Sequence, residues 1–193
     1  MADSEKLIKI VLLGYEKTGK TKFCEYIDGK NNEINFSEYI ETNGASYFSK
    51  SIIYNNNLYN IDIWDTSGQE KYESLTKFFF RNASIVLIFF NYNNKKSFTK
   101  AKYLLNSVKE YTDMSDVIYV LIGNKYHEEI NPDDDNEMVN EEEVLEFIEQ
   151  NNLIFGHLSI SEKYSNGVNE LFKKVAREYS KKIRKINSEF WLE

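Results

Sequence analysis

The sequence predicts an α/β fold built on a mostly parallel six-stranded sheet with helices on both faces. Three observations carry that prediction. Apolar strand-like runs at 7–13, 46–54, 58–64, 84–90, 117–122 and 153–158 alternate with helical patterns at about 20–28, 72–81, 95–111, 140–150 and 166–186. The first run leads straight into Gly14-Tyr15-Glu16-Lys17-Thr18-Gly19-Lys20-Thr21, which fits the pattern G-x-x-x-x-G-K-[ST]. Finally, 193 residues with 41% hydrophobic content suffice for one core, and β/α alternation around one core points to crossover helices over a parallel sheet.

Each element has a local reason. Leu7-Ile8-Lys9-Ile10-Val11-Leu12-Leu13 is a short apolar run and reads as a buried strand. Phe23-Cys24-Glu25-Tyr26-Ile27 opens the first helix, with Cys24 as a small buried hydrophobe. Runs 46–54 and 58–64 flank Asn55-Asn56-Asn57, a hairpin turn because Asn tolerates left-handed geometry. Asn140 and Glu143 resemble an N-cap and its reciprocal partner at the start of helix 140–150. Tyr92, Phe98 and Tyr103 read as core and groove packing. In such sheets ligands lie beyond the carboxyl ends of the strands. The loops expected to act are therefore 14–21, 29–45, 65–76, 123–127 and 159–163.

Composition excludes several classes. The net charge of −7 disfavours general nucleic-acid binding. No apolar run is long enough for a transmembrane helix. Residues 1–6 lack a signal peptide's basic and apolar regions. A single cysteine cannot form an internal disulfide and fits a reducing compartment.

The chemistry concentrates in two segments. In the glycine-bounded loop the backbone can wrap a phosphate with its N–H groups turned inward. Lys20 is expected to reach the β- and γ-phosphates, and the Thr21 hydroxyl to bind Mg2+. Trp64-Asp65-Thr66-Ser67-Gly68-Gln69-Glu70 follows the third apolar run. A carboxylate at that strand end suits a second Mg2+ partner, through a water. The Gly68 N–H is expected at a γ-phosphate, and Gln69 can orient an attacking water.

These residues resemble a small GTPase of the Ras superfamily, and within it a Rab. Trp64 to Glu70 is similar to WDTAGQE, with Ser67 for Ala. Lys71-Tyr72-Glu73-Ser74-Leu75-Thr76 resembles RFRSLT, Phe79-Phe80-Arg81-Asn82-Ala83 resembles YYRGA, and Tyr39-Ile40-Glu41-Thr42-Asn43-Gly44 resembles YISTIG. The likeness runs from about residue 6 to 186. It implies the phosphate-loop small GTPase fold, with GTP or GDP and Mg2+ as ligands. It assigns Gly14, Glu16, Lys17, Thr18, Gly19, Lys20, Thr21 and Lys22 to the phosphate side. Thr21, Thr42 and Asp65 fall to the metal, and Gln69, Lys20 and Gly68 to catalysis. Segments 29–45 and 66–76 become switches that order around the γ-phosphate.

The base side departs from the family. Asn124-Lys125-Tyr126-His127 stands where the family has NKxD. The missing carboxylate would accept from two guanine N–H groups, whereas a neutral imidazole offers one acceptor. That loss is worth on the order of 1.5–3 kcal/mol or more. Ser161-Glu162-Lys163 resembles the SAK element, with Glu162 for Ala. Phe36 is the aromatic assigned to stack on the base, with core or surface packing as its alternative. Glu16 and Lys17 sit where many members have small residues and can crowd the catalytic water, so slow hydrolysis is expected.

The resulting expectation is a Rab-like G domain over 1–186 with a short tail over 187–193. It would act as a monomeric switch in vesicle trafficking, meeting effectors, an exchange factor and an activating protein through its two switches. No terminal prenylation cysteine is present, so a cytoplasmic protein recruited to endomembranes by partners is expected. The alternative is a degenerate nucleotide-binding scaffold with weakened guanine specificity and little or no hydrolysis.

Overall fold

The computed structural model describes residues 6–27, 46–54, 57–66, 79–112, 117–125, 137–159, 171 and 174–182. In chain order they form β1 (Lys6–Gly14), α1 (Lys20–Ile27), β2 (Ser46–Tyr54), β3 (Asn57–Asp65), β4 (Ile85–Asn91), α2 (Lys95–Tyr111), β5 (Ile118–Lys125), α3 (Glu141–Asn151) and β6 (Ile154–Ser159). Residues 174–182 are helical as well.

The six strands make one sheet in the order β2-β3-β1-β4-β5-β6. β1 lies parallel to β3 and to β4, and β4-β5-β6 continue in parallel. β2 alone runs antiparallel, paired with β3 across a hairpin at the rim. The expected mostly parallel sheet is thus observed.

Strand periodicity explains why helices cover both faces. Successive residues of β1 point to opposite sides. Ile8, Ile10 and Leu12 join a cluster with Phe23 and Cys24 of α1 and with Leu171 and Val175. Val11 and Leu13 join the other, with Phe98, Leu104, Leu105 and Val108 of α2 and Val144 of α3. Cys24 is fully buried, as its neighbours in the helix pattern required. Each fully buried large side chain contributes about 1.5–3 kcal/mol.

Three local readings are corrected or narrowed. Asn57 pairs with Tyr54 in the β2–β3 ladder rather than belonging to the turn, while Asn55 and Asn56 lie outside the described residues. Asn140 does cap α3, accepting from the Glu142 N–H at 2.9 Å. Glu143, however, makes no return contact. Its carboxylate reaches Lys95 and Lys102 on α2, each at 2.7 Å, because two ammonium groups outcompete one peptide N–H. Tyr103, 47% exposed, lines a groove rather than the core, since the buried face of α2 passes through Leu104. Helix 72–81 is described only from 79 and the last helix only at 171 and 174–182.

Candidate functional site

The loop between β1 and α1 is shaped by three backbone conformations. Gly14 has φ +147°, Lys17 φ +57° and Gly19 φ +97°. A Cβ on Gly14 would stand 2.5 Å from the Phe89 carbonyl oxygen, so only glycine lets β1 leave the sheet beside β4 there. Lys17 accepts the left-handed region without glycine's freedom, a conformation costing roughly 1–2 kcal/mol. Alternation of this kind turns successive N–H groups toward one point and suits an anion. The Thr18 hydroxyl closes the loop by donating to the Tyr15 carbonyl at 2.7 Å.

Lys20 begins α1 and is only 3% exposed. Its ammonium donates to the Gly14 carbonyl at 2.6 Å and the Tyr15 carbonyl at 2.8 Å. The next residue, Thr21, donates its hydroxyl to the Asp65 carboxylate at 3.0 Å. The register explains this meeting: Leu12 of β1 stands opposite Asp65, the last residue of β3, two residues before β1 turns into the loop. Thr66 then donates to the Leu12 carbonyl at 2.7 Å and holds the strand ends together. Lys22 turns along α1 toward Glu25, 3.4 Å away.

On the far side of the loop, β5 delivers Asn124, which is 1% exposed. Its amide N–H donates to the Thr18 carbonyl at 3.1 Å. Its Oδ1 is buried and accepts no hydrogen bond among the described residues. A buried unsatisfied acceptor costs about 1–3 kcal/mol, so this atom is suited to meeting a donor from a ligand or neighbouring loop. Lys125 projects beside it, its ammonium 2.7 Å from Glu141 and 5.0 Å from the Tyr92 ring centre. Burial, with the Glu141 charge adding to it, pushes the Tyr92 hydroxyl up to about 12.

A hydroxyl and one carboxylate are too few to enclose a cation, and among the described residues no three His, Cys, Asp or Glu side chains converge. Thr21 and Asp65 therefore fit an ion that keeps waters and takes further oxygens from a phosphate, as Mg2+ does.

Residues 9–181 match the family model described as Ras family. Over 176 residues the chain is 33% identical to Ras-related protein Rab-17 of Mus musculus, covering 88% of this chain and 74% of that protein. It is 31% identical to Ras-related protein Rab5 of Nicotiana tabacum, covering 88% and 79%. Against Ras-related protein Rab-2B of Dictyostelium discoideum it is 32% identical, covering 93% and 83%. The chain is a Rab-like small GTPase of the Ras superfamily.

In this Rab-like GTPase the described part of the site brings Gly14, Thr18, Gly19, Lys20, Thr21, Asp65, Asn124 and Lys125 to one end of the sheet. Glu16 and Lys17 are exposed. Phe36, Thr42, Gly68, Gln69, His127, Ser161, Glu162 and Lys163 lie outside the described residues, as does the tail 187–193. Sequence reasoning missed Thr66, Tyr92 and Glu141. It also missed an aromatic row beside Asp65. Tyr47 meets Trp64 edge-on at 5.2 Å, and Trp64 faces Phe79 at 6.0 Å. Tyr47 and Trp64 were legible as cross-strand partners once the hairpin was drawn.

Proposed function

We propose that this small GTPase is a guanine-nucleotide switch that holds GTP or GDP with Mg2+, hydrolyses GTP slowly, and serves vesicle trafficking. The observation that carries the reading is the Thr21–Asp65 contact at 3.0 Å beneath a loop whose lysine is anchored on two carbonyls. The first turn of α1 and the end of β3 thereby place a hydroxyl and a carboxylate side by side, a pair suited to a hard cation.

In this reading the loop N–H groups and Lys20 hold the phosphates. Thr21, Thr42 and Asp65 hold Mg2+, which supplies neutralisation of phosphate charge when bound. Gln69 orients a water and the Gly68 N–H approaches the terminal phosphate. Asn124, Lys125, His127, Ser161, Glu162, Lys163 and Phe36 surround the base. Glu16 and Lys17, both exposed on the loop, slow hydrolysis by crowding the water's approach. The G domain spans 1–186. Effectors, an exchange factor and an activating protein use segments 29–45 and 66–76 together with the aromatic row Tyr47, Trp64 and Phe79, whose members flank both segments in the sequence. The Rab names of the relatives motivate the trafficking role.

The second reading, a scaffold with weak guanine specificity, is favoured by His127 in place of the family's aspartate. One experiment separates the two. Bound nucleotide is released from purified protein and identified, and GTP, GDP, ATP and XTP are titrated with and without Mg2+. Tight, Mg2+-dependent guanine binding followed by slow phosphate release supports the switch. Binding without base preference and without turnover supports the scaffold, and no binding removes both.

A further inference from the structure

We infer that a cleft of about 600 Å3 beside the phosphate loop is a docking site for an acidic segment of a partner protein. Tyr15 of the loop forms one wall; Lys95, Lys96, Lys100 and Tyr103 of α2 form the other, with Glu137 at the rim.

The charge there is unbalanced in a way the fold does not need. The chain carries a net charge of −7, yet Lys95 to Lys102 contains four lysines in eight residues. Two of the four are neutralised internally. Glu143 takes Lys95 and Lys102 at 2.7 Å each, and Glu137 stands 4.0 Å from Lys95. Lys96 and Lys100 have no carboxylate partner among the described residues; Lys100 rests on the Tyr103 ring at 4.5 Å. They are one helical turn apart, a spacing at which like charges repel and weaken a helix. No acidic residue stands in the first turn of α2 to offset them. A local cost to folding, concentrated in a concavity and flanked by two aromatic rings, is accounted for by an anionic occupant.

Spacing selects the kind of anion. Residues four apart on a helix hold their side chains about 5–6 Å apart. Alternate carboxylates on an extended chain stand about 6.6 Å apart, from a rise of about 3.3 Å per residue. An extended segment with acidic residues at every second position therefore meets Lys96 and Lys100 together. Its intervening side chains pack on Tyr15 and Tyr103. A concave cleft does not suit a flat bilayer. Since Tyr15 belongs to the phosphate loop, a partner held here contacts that loop directly.

The test uses the full chain and a fluorescein-labelled octapeptide of alternating glutamate and tyrosine, followed by anisotropy. A peptide of alternating lysine and tyrosine is the control, and nucleotide binding is measured in parallel so that loss of the nucleotide site is seen separately. Binding of the acidic peptide alone, weakened about tenfold or more in Lys96→Gln/Lys100→Gln, and falling as salt rises, supports the site. Both lysines project from the helix surface, so the variant should fold, and its melting temperature verifies this. Equal binding of both peptides, binding indifferent to the double substitution, or lysine-dependent binding only to anionic lipid vesicles overturns it.

Discussion

The Asn124 side chain donates to the Thr18 carbonyl across 3.1 Å, although the two residues stand 106 positions apart in the chain. This bond fastens the end of β5 to the phosphate loop. Breaking it leaves the Thr18 carbonyl without that donor inside a site that is almost fully buried. Asn124→Ala also removes the unpartnered Oδ1, which offsets part of that loss, and is expected to lower stability by about 1 kcal/mol. Urea unfolding of the nucleotide-free protein measures it, and an unchanged or raised midpoint would show that the unpartnered oxygen costs at least as much as the bond contributes.

Two glycines make a contrasting pair. Gly14→Ala sets a Cβ 2.5 Å from a backbone oxygen at φ +147°. The backbone cannot yield, so the expected loss is about 3 kcal/mol or more. Gly123→Ala meets the ring edges of Tyr92 at 2.6 Å and Phe90 at 2.8 Å. Rings can shift by tenths of an ångström, and about 1–3 kcal/mol is expected there. Thermal unfolding of both variants should rank Gly14 as the costlier position.

Metal dependence should isolate the Thr21–Asp65 contact. Asp65→Asn keeps the shape and removes the charge. The Mg2+ concentration for half-maximal nucleotide retention is expected to rise about tenfold or more. Retention in excess EDTA should be unchanged, since the phosphate loop is intact. A fluorescent-nucleotide dissociation assay reads both quantities, and an unchanged Mg2+ requirement would remove Asp65 from the metal site.

The α2–α3 ion network predicts a pH dependence. The Lys102 ammonium, followed by Lys95, holds the Glu143 carboxyl below its usual value of 4.5. A depressed carboxyl stabilises the fold at pH values above its unfolded value, and the gain is lost as pH falls through the folded value. Glu143 is about a third exposed, so solvent screening keeps the effect to about 1 kcal/mol or less. Glu143→Gln should therefore melt below the parent at pH 7 and converge with it at an acid pH below the folded carboxyl's value. Parallel melting curves at both pH values would dismiss the network as a contributor.

Much of the architecture was legible because buried strands leave continuous apolar runs. Run 46–54 and helix 95–111 coincide with β2 and α2. The loop was legible because its glycines and lysine follow a fixed spacing that backbone geometry demands. What stayed hidden depended on other elements. Glu143 obeyed the capping pattern in sequence, yet nothing local revealed that two α2 lysines compete for it. Tyr103 sits one position from the buried Leu104, and a helical phase error of that size exchanges core for surface. The Asn124–Thr18 bond and the Lys125–Glu141 pair need the strand order before either can be foreseen.

The strand order has a mechanical side. Asp65 rides on the β2–β3 hairpin, whereas Lys20 and Thr21 ride on β1 and α1, so the boundary between β3 and β1 cuts through the site. The Thr66 hydroxyl on the Leu12 carbonyl is a stitch across that seam. Parting along it would break the β1–β3 ladder and draw Ile61 and Ile63 out of the core they share with Ile10 and Phe23. Asp65 therefore cannot leave Thr21 by this route without the sheet coming apart, and the carboxylate is as lasting a part of this corner as the loop it faces.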